Sequence, residues 1–139
     1  MRKSKGYIRK LEFVFHNEKA IREAVLDARN YHEKIEKNGG GIGDPTASQA
    51  IRNVMPLRWV KIRGEDLEWP EEWLRVIDAT YAWCDRDRLI VARDRYSGVD
   101  YRATCAKLSI SETTYFAFLK DVRTHAAFCA ANLQLIRFL

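Results

Sequence analysis

Apolar residues recur at steps of three and four along most of this chain, so helices dominate the expectation. Tyr7, Ile8, Leu11, Val14 and Phe15 form a first amphipathic run, and Ile21, Ala24, Val25, Ala28, Tyr31 and Ile35 form a second with mixed charge outside. His16-Asn17 separates them, and Asn17 suits an N-cap. A rival pattern joins the two runs. Tyr7, Leu11, Val14, Glu18, Ile21, Val25, Ala28, His32 and Ile35 alternate steps of four and three, a heptad seam broken only by Glu18 and His32. Such a seam would pair two chains. Two helices are the favoured pattern, and in either case residues 1–38 are a packing or pairing region rather than a site.

The pattern then changes. Asn38-Gly39-Gly40-Gly41-Ile42-Gly43 cannot hold a helix and reads as a loop. It lacks the downstream Gly-Lys-Ser/Thr of a phosphate loop. Asp44-Pro45 provides a helix start, with Pro45 where a missing N–H costs nothing, and Thr46–Val54 follows as a short helix. After Pro56, Arg58–Ile62 and Leu67–Trp69 alternate polar and apolar around Arg63-Gly64, which predicts a small β-hairpin. Trp69-Pro70 opens a helix faced by Trp73, Val76, Ile77, Thr80, Tyr81 and Cys84, with Glu71 and Glu72 suited to its first turn. Asp85–Tyr96 is expected to turn Leu89, Ile90, Ala92 and Tyr96 inward and a solvated face of alternating Arg and Asp outward. Ser97-Gly98 closes it.

Asp100–Arg123 reads as two helices joined by a tight turn. The first carries Tyr101, Cys105 and Leu108 on one side. Ser111 and Glu112 then supply an oxygen cap and an acid for a new N-terminus. The second helix sets Tyr115, Phe118, Leu119 and Val122 on one face, leaving Glu112, Thr113, Phe116, Lys120 and Arg123 outward, with Thr114 and Ala117 at the margin. This is the grammar of a helix-turn-helix. It fits an ordinary helical corner equally well. Val122, Ala126, Cys129, Leu133 and Ile136 carry the apolar stripe onward, either to pack on the helix from Pro70 to Cys84 or to form a dimer seam. The fold class expected is mostly α, divided into a helical region 1–38, a segment 39–69 with the loop, short helix and hairpin, and a C-terminal domain 70–139 with the helix-turn-helix.

Composition narrows the function classes. The chain has 139 residues, 47% of them hydrophobic, with four Trp, six Tyr and six Phe, enough for a real core. A net charge of +5 permits a polyanionic partner without requiring one. No stretch is apolar and long enough to span a membrane, and the start MRKSKGYIRK leads into an amphipathic segment rather than a signal-peptide core, so an intracellular, cytoplasmic protein is expected. Cys84, Cys105 and Cys129 are odd in number and lack a CxxC pair, as expected of reduced, buried thiols. His16, His32 and His125 are scattered. His125 and Cys129 stand four apart, but two ligands do not make a zinc site, and a histidine packed beside a cysteine is the expectation. No catalytic constellation stands out, so neither enzymatic activity nor a cofactor is expected.

Four stretches taken in order carry a resemblance: EKAIREAVLDARNYHEKI, GGGIGDPTASQAI, WPEEWLRVIDATYAWC, and YRATCAKLSISETTYFAFLKDVRTHAAFCAANLQLI. From about Glu18 onward the chain resembles the small bacteriophage and prophage transcription regulators of the RinA and ArpU type, with Asp44–Ala47 after the glycine-rich loop as the most specific piece. The family's C-terminal part is similar to the sigma-factor region that binds promoter DNA through a helix-turn-helix. The resemblance implies binding of double-stranded DNA in the bacterial host and control of late phage genes. A second copy of the chain is a candidate partner through the C-terminal apolar stripe, and RNA polymerase is one where the chain acts as an adaptor. Ser111, Glu112, Thr113, Thr114 and Phe116 would face the major groove, and Tyr101, Arg102, Lys120 and Arg123 would hold phosphates. Ser109 stands where the turn usually has glycine, while Cys105 fits a position that wants a small side chain. The outward face carries few of the Arg, Lys, Asn or Gln side chains that read base edges. Two other functions fit the pattern: a small terminase subunit recognising packaging DNA, and an adaptor that contacts RNA polymerase through Phe116.

Overall fold

The computed structural model describes residues 6–38 and 55–137. The glycine-rich loop and the short helix expected at Thr46–Val54 lie outside the described residues. Six helices and one two-stranded antiparallel sheet are present among those described: α1 (Gly6–His16), α2 (Glu18–Asn38), β1 (Trp59–Ile62), β2 (Glu65–Glu68), α3 (Pro70–Trp83), α4 (Arg86–Tyr96), α5 (Tyr101–Leu108) and α6 (Glu112–Asn132). The protein is thus mostly helical with a small hairpin, as the sequence pattern predicts. No described helix is long and apolar enough to cross a membrane. The chain forms two compact units, one within residues 17–74 and the other from the residues up to His16 together with those from Arg75 onward.

In the first unit, α2 packs against β1. The heptad seam does not run through as one helix. The helix breaks at Asn17, whose carbonyl accepts from the Ile21 N–H at 2.9 Å and so starts α2 afresh. In the hairpin, Val60 lies opposite Leu67 and both are buried, whereas Trp59 lies opposite Glu68 and Lys61 opposite Asp66 on the exposed side. The two-residue connection Arg63-Gly64 has φ of 49° and 83°. Positive φ at both positions is what a tight hairpin turn needs, and glycine adopts it without strain where arginine does not. Arg63→Asn is therefore expected to raise stability by about 0.5–1 kcal/mol. Urea denaturation measures this, and an unchanged midpoint would mean that Arg63 is not strained. Glu71 does more than open a helix. Its Oε1 accepts from the Leu57 N–H at 3.0 Å and from Arg29, whose guanidinium also donates to the Met55 carbonyl at 3.0 Å. One carboxylate thereby fixes the approach to β1 onto α2.

The second unit is a helical cluster. α6 packs on α1, α4 and α5. Val91, Tyr115 and Leu119 form a buried nucleus, with Tyr96, Tyr101, Cys105, Leu108, Ile110 and Phe118 packed around it. An aliphatic side chain fully withdrawn from water contributes about 1.5–3 kcal/mol. Val91 corrects the expectation for α4. It is fully buried beside Ala92, whereas Leu89 and Ile90 are only half-buried. Of the apolar stripe that runs along α6 and past its end, Val122, Ala126 and Ile136 are buried, Cys129 is half-buried and Leu133 is exposed. The three buried residues are not available as a dimer seam. The three cysteines are free but only half-buried, not fully buried as expected. Burial nevertheless pushes the thiols of Cys84 and Cys129 up, so both favour the neutral form.

Candidate nucleic-acid interface

α5, the turn and α6 are each set by local chemistry. Asp100 caps α5, its side chain accepting from the Arg102 N–H at 2.8 Å. At the other end, Ser109 adopts a left-handed conformation (φ 55°, ψ 44°). Its N–H donates to the Ala106 carbonyl and the Ile110 N–H to the Cys105 carbonyl, a Schellman ending that satisfies carbonyls a helix otherwise leaves free. Ser111 then caps α6 by accepting from the Thr114 N–H at 3.1 Å. Its hydroxyl donates to Thr114 Oγ1 at 3.0 Å, so these two hydroxyls engage each other at the helix start. The partly buried Cys105 thiol lies 3.9 Å from the Ser111 carbonyl.

The buried face of α6 is Tyr115, Leu119 and Val122, and the exposed positions include Glu112, Thr113, Phe116, Ala117 and Lys120. Phe116 is 41% exposed and is not loose. Its ring lies 5.6 Å from that of Tyr101 and 5.0 Å, edge-on, from that of Tyr115. Tyr101 is half-buried, and its hydroxyl accepts from Arg102 Nε at 3.4 Å. Tyr101, Arg102 and Phe116 therefore share one end of the motif. Lys120 lies further along α6, on the rim of an open groove of about 490 Å³. In that groove the Trp83 indole and the His125 imidazole stack at 4.3 Å with 6° between planes. Burial holds His125 below its ordinary pKa, which favours the neutral ring in the stack. His125 is thus occupied by an aromatic partner, and no group of three or more metal-ligating side chains occurs among the described residues.

Arg123 is placed differently from the other expected contacts. It donates to Glu12 of α1, and the same carboxylate accepts from the Tyr96 hydroxyl at 3.3 Å. Glu12 also stands 3.5 Å from His16. Arg123 thus fastens α6 to α1 and is half-buried.

Sequence reasoning missed the residues that orient the motif. Asp94 of α4 accepts from the hydroxyl of fully buried Thr104 at 2.8 Å and from Lys107 Nζ at 2.7 Å. Burial pushes the Asp94 carboxyl up, but the hydrogen bonds from Lys107 and Thr104 and the Lys107 charge outweigh it, so its pKa lies below the usual carboxylate value. Arg88 likewise links α4 to α6 through Asp121 at 3.0 Å, with its guanidinium 4.5 Å from the centre of the Phe118 ring. The alternation of Arg and Asp in α4, which suggests a solvated face, is in part an interface. Comparison with known proteins finds no matching family model, no similar curated protein and no similar solved structure.

Proposed function

We propose that the chain is a sequence-specific, double-stranded DNA-binding regulator of transcription, with α6 entering the major groove. The observation that carries this reading is the exposed face of α6. Glu112, Thr113, Phe116 and Lys120 stand outward on a helix whose opposite face is fully buried and whose start is fixed by the Ser109 turn and the Ser111 cap. Thr113 and Phe116 offer a hydroxyl and an apolar edge to base pairs, and Thr114 stands beside them. Tyr101, Arg102 and Lys120 supply phosphate contacts that set register without reading sequence. The readers are few, so DNA shape contributes to selectivity. The resemblance to phage regulators supplies the setting: late genes of a phage or prophage in a bacterial cytoplasm, with RNA polymerase nearby.

A gel shift against the phage's own late-gene upstream region, at stated salt, tests the reading. Lys120→Ala is expected to weaken binding to all sequences and to lower the slope of log K against log salt by about one phosphate contact. An unchanged slope removes Lys120 from the interface. Thr113→Ala is expected to change sequence preference by about 1 kcal/mol at one base pair. Equal loss on every site would count against base reading.

One observation favours an adaptor instead. Phe116, Trp83 and Phe128 are 41%, 47% and 58% exposed, and aromatic side chains on a surface suit a protein partner. Capture of RNA polymerase without a specific gel shift would select that reading. A solution mass well above a dimer would select the small terminase subunit.

A further inference from the structure

A second concave site lies beside the motif. His16 at the end of α1, Arg95 and Gly98 at the end of α4, Asp100 and Tyr101 at the start of α5, and Tyr115 of α6 line a pocket of about 380 Å³. Its volume falls near the lower end of small-ligand sites, about 300–1,000 Å³. Two of its polar groups lack protein partners. Tyr115 is fully buried and its hydroxyl makes no hydrogen bond, and Arg95 Nε is buried without an acceptor. Arg95 makes no ion pair among the described residues, in contrast to Arg88 and Arg123. A buried polar group left unpaired costs about 1–3 kcal/mol, so two at one pocket require an explanation.

We infer that this pocket binds a phosphate group, with the Arg95 guanidinium as its counter-charge and the Tyr115 hydroxyl as a donor at its wall. A guanidinium and a phenol can only donate to an anion, and they come from different helices. A tetrahedral oxyanion presents acceptors in several directions and suits such a set better than a planar carboxylate, which one guanidinium fork can satisfy. Burial pushes the Tyr115 phenol up, so it stays protonated and able to donate. Asp100 is the one carboxylate in the lining, and its Oδ1 is already turned to the Arg102 N–H. His16 adds an imidazole at the rim, where it faces Glu12 and lies edge-on to the Tyr96 ring.

The phosphate could be free or part of a duplex backbone, and only the second source rests on the DNA-binding reading. Thermal unfolding in inorganic phosphate against chloride, at matched ionic strength and pH, separates them. A ligand that binds only the folded state raises the melting temperature with its concentration. Phosphate is expected to stabilise the wild type and to lose this effect in Arg95→Gln and in Tyr115→Phe, which removes a single oxygen and guards against a folding defect. That result assigns a free phosphate. If phosphate leaves the wild type unmoved but Arg95→Gln lowers the salt slope of duplex binding by about one contact, the occupant is a backbone phosphate. The proposal is overturned if phosphate shifts wild type and both variants equally. It is also overturned if phosphate shifts none of them and no Arg95-dependent change appears in the salt slope, including the case in which duplex DNA does not bind at all.

Discussion

Replacing Asp94 by alanine is expected to destabilise the protein by about 2 kcal/mol, and two effects of opposite sign decide that figure. Asp94 sits in the last turns of α4, where a negative charge opposes the helix dipole, so its removal alone would help by about 0.3–1 kcal/mol. Against this stands the hydrogen bond from Thr104, which is fully buried and has the Asp94 carboxylate as its acceptor. Losing a hydrogen bond to a charged group and leaving that hydroxyl unpaired costs about 1.5–3 kcal/mol. The tertiary contact wins. Lys107 adds little, because at 55% exposure its ammonium is largely solvated with or without the pair. A double-mutant cycle isolates the effect: with Thr104→Val already made, Asp94→Ala should cost much less, because no orphaned hydroxyl remains. Additive losses would deny the coupling. The pH dependence has a definite sign. The folded-state pKa of Asp94 is depressed, so the contribution is fully present above the ordinary carboxylate value, about 3.9, and is lost as pH falls through the lower folded value. The gap between wild type and Asp94→Ala should therefore be constant near neutrality and shrink in acid.

That contact also shows where the sequence stops being legible. Helix starts are readable because each is a local device. Asp85, Asp100 and Ser111 are the N-cap residues of α4, α5 and α6, each bonding an N–H two or three residues onward. The hairpin is readable for the same reason, from alternation around Arg63-Gly64. The outward positions Glu112, Thr113, Phe116 and Lys120 follow from the spacing of Tyr115, Leu119 and Val122. Non-local pairings leave no such signal. Nothing near Asp94 indicates that it meets Thr104, and nothing near Arg123 indicates Glu12, 111 positions away. Arg123 has the spacing of a phosphate contact, and nothing in that spacing announces the ion pair it makes with Glu12. Val91 is obscured differently. In RDRLIVARDRY the arginines fall on two opposite sides of the helix, Arg86 with Arg93 and Arg88 with Arg95, so no single polar stripe marks the solvent. Arg88 packs its guanidinium on Phe118, and Arg95 buries its Nε, which puts charged residues where periodicity expects apolar ones.

Ser109→Gly is expected to raise stability by about 1 kcal/mol, and Ser109→Val to lower it by about 1–2 kcal/mol, a span of about 2–3 kcal/mol at one exposed residue. The argument rests on three helix endings in the same unit. α4 ends with Gly98 at φ 87°, α5 with Ser109 at φ 55° and α6 with Gln134 at φ 60°. In each, the residue in the left-handed conformation donates to the carbonyl three residues back, and the next residue donates to the carbonyl five back. The geometry is shared, but only the first ending has the residue without a Cβ. A left-handed L-residue carries about 1–2 kcal/mol of strain, and a β-branched one carries more. Glycine relieves it but gains freedom in the unfolded chain, which returns part of the benefit and sets the net near 1 kcal/mol. The Ser109 side chain is exposed and makes no hydrogen bond among the described residues, so the backbone term dominates. Gln134→Gly is the internal control and should give a similar gain. Chemical denaturation of the three variants measures the series. If Ser109→Gly were neutral while Gln134→Gly stabilised, the serine would be contributing something at the turn that its conformation does not show. If both stabilise and duplex binding by Ser109→Gly is unchanged, the turn between α5 and α6 holds its strain without using it, and the position of α6 is set by its packing on Tyr101 and Val91 rather than by the residue that turns the chain.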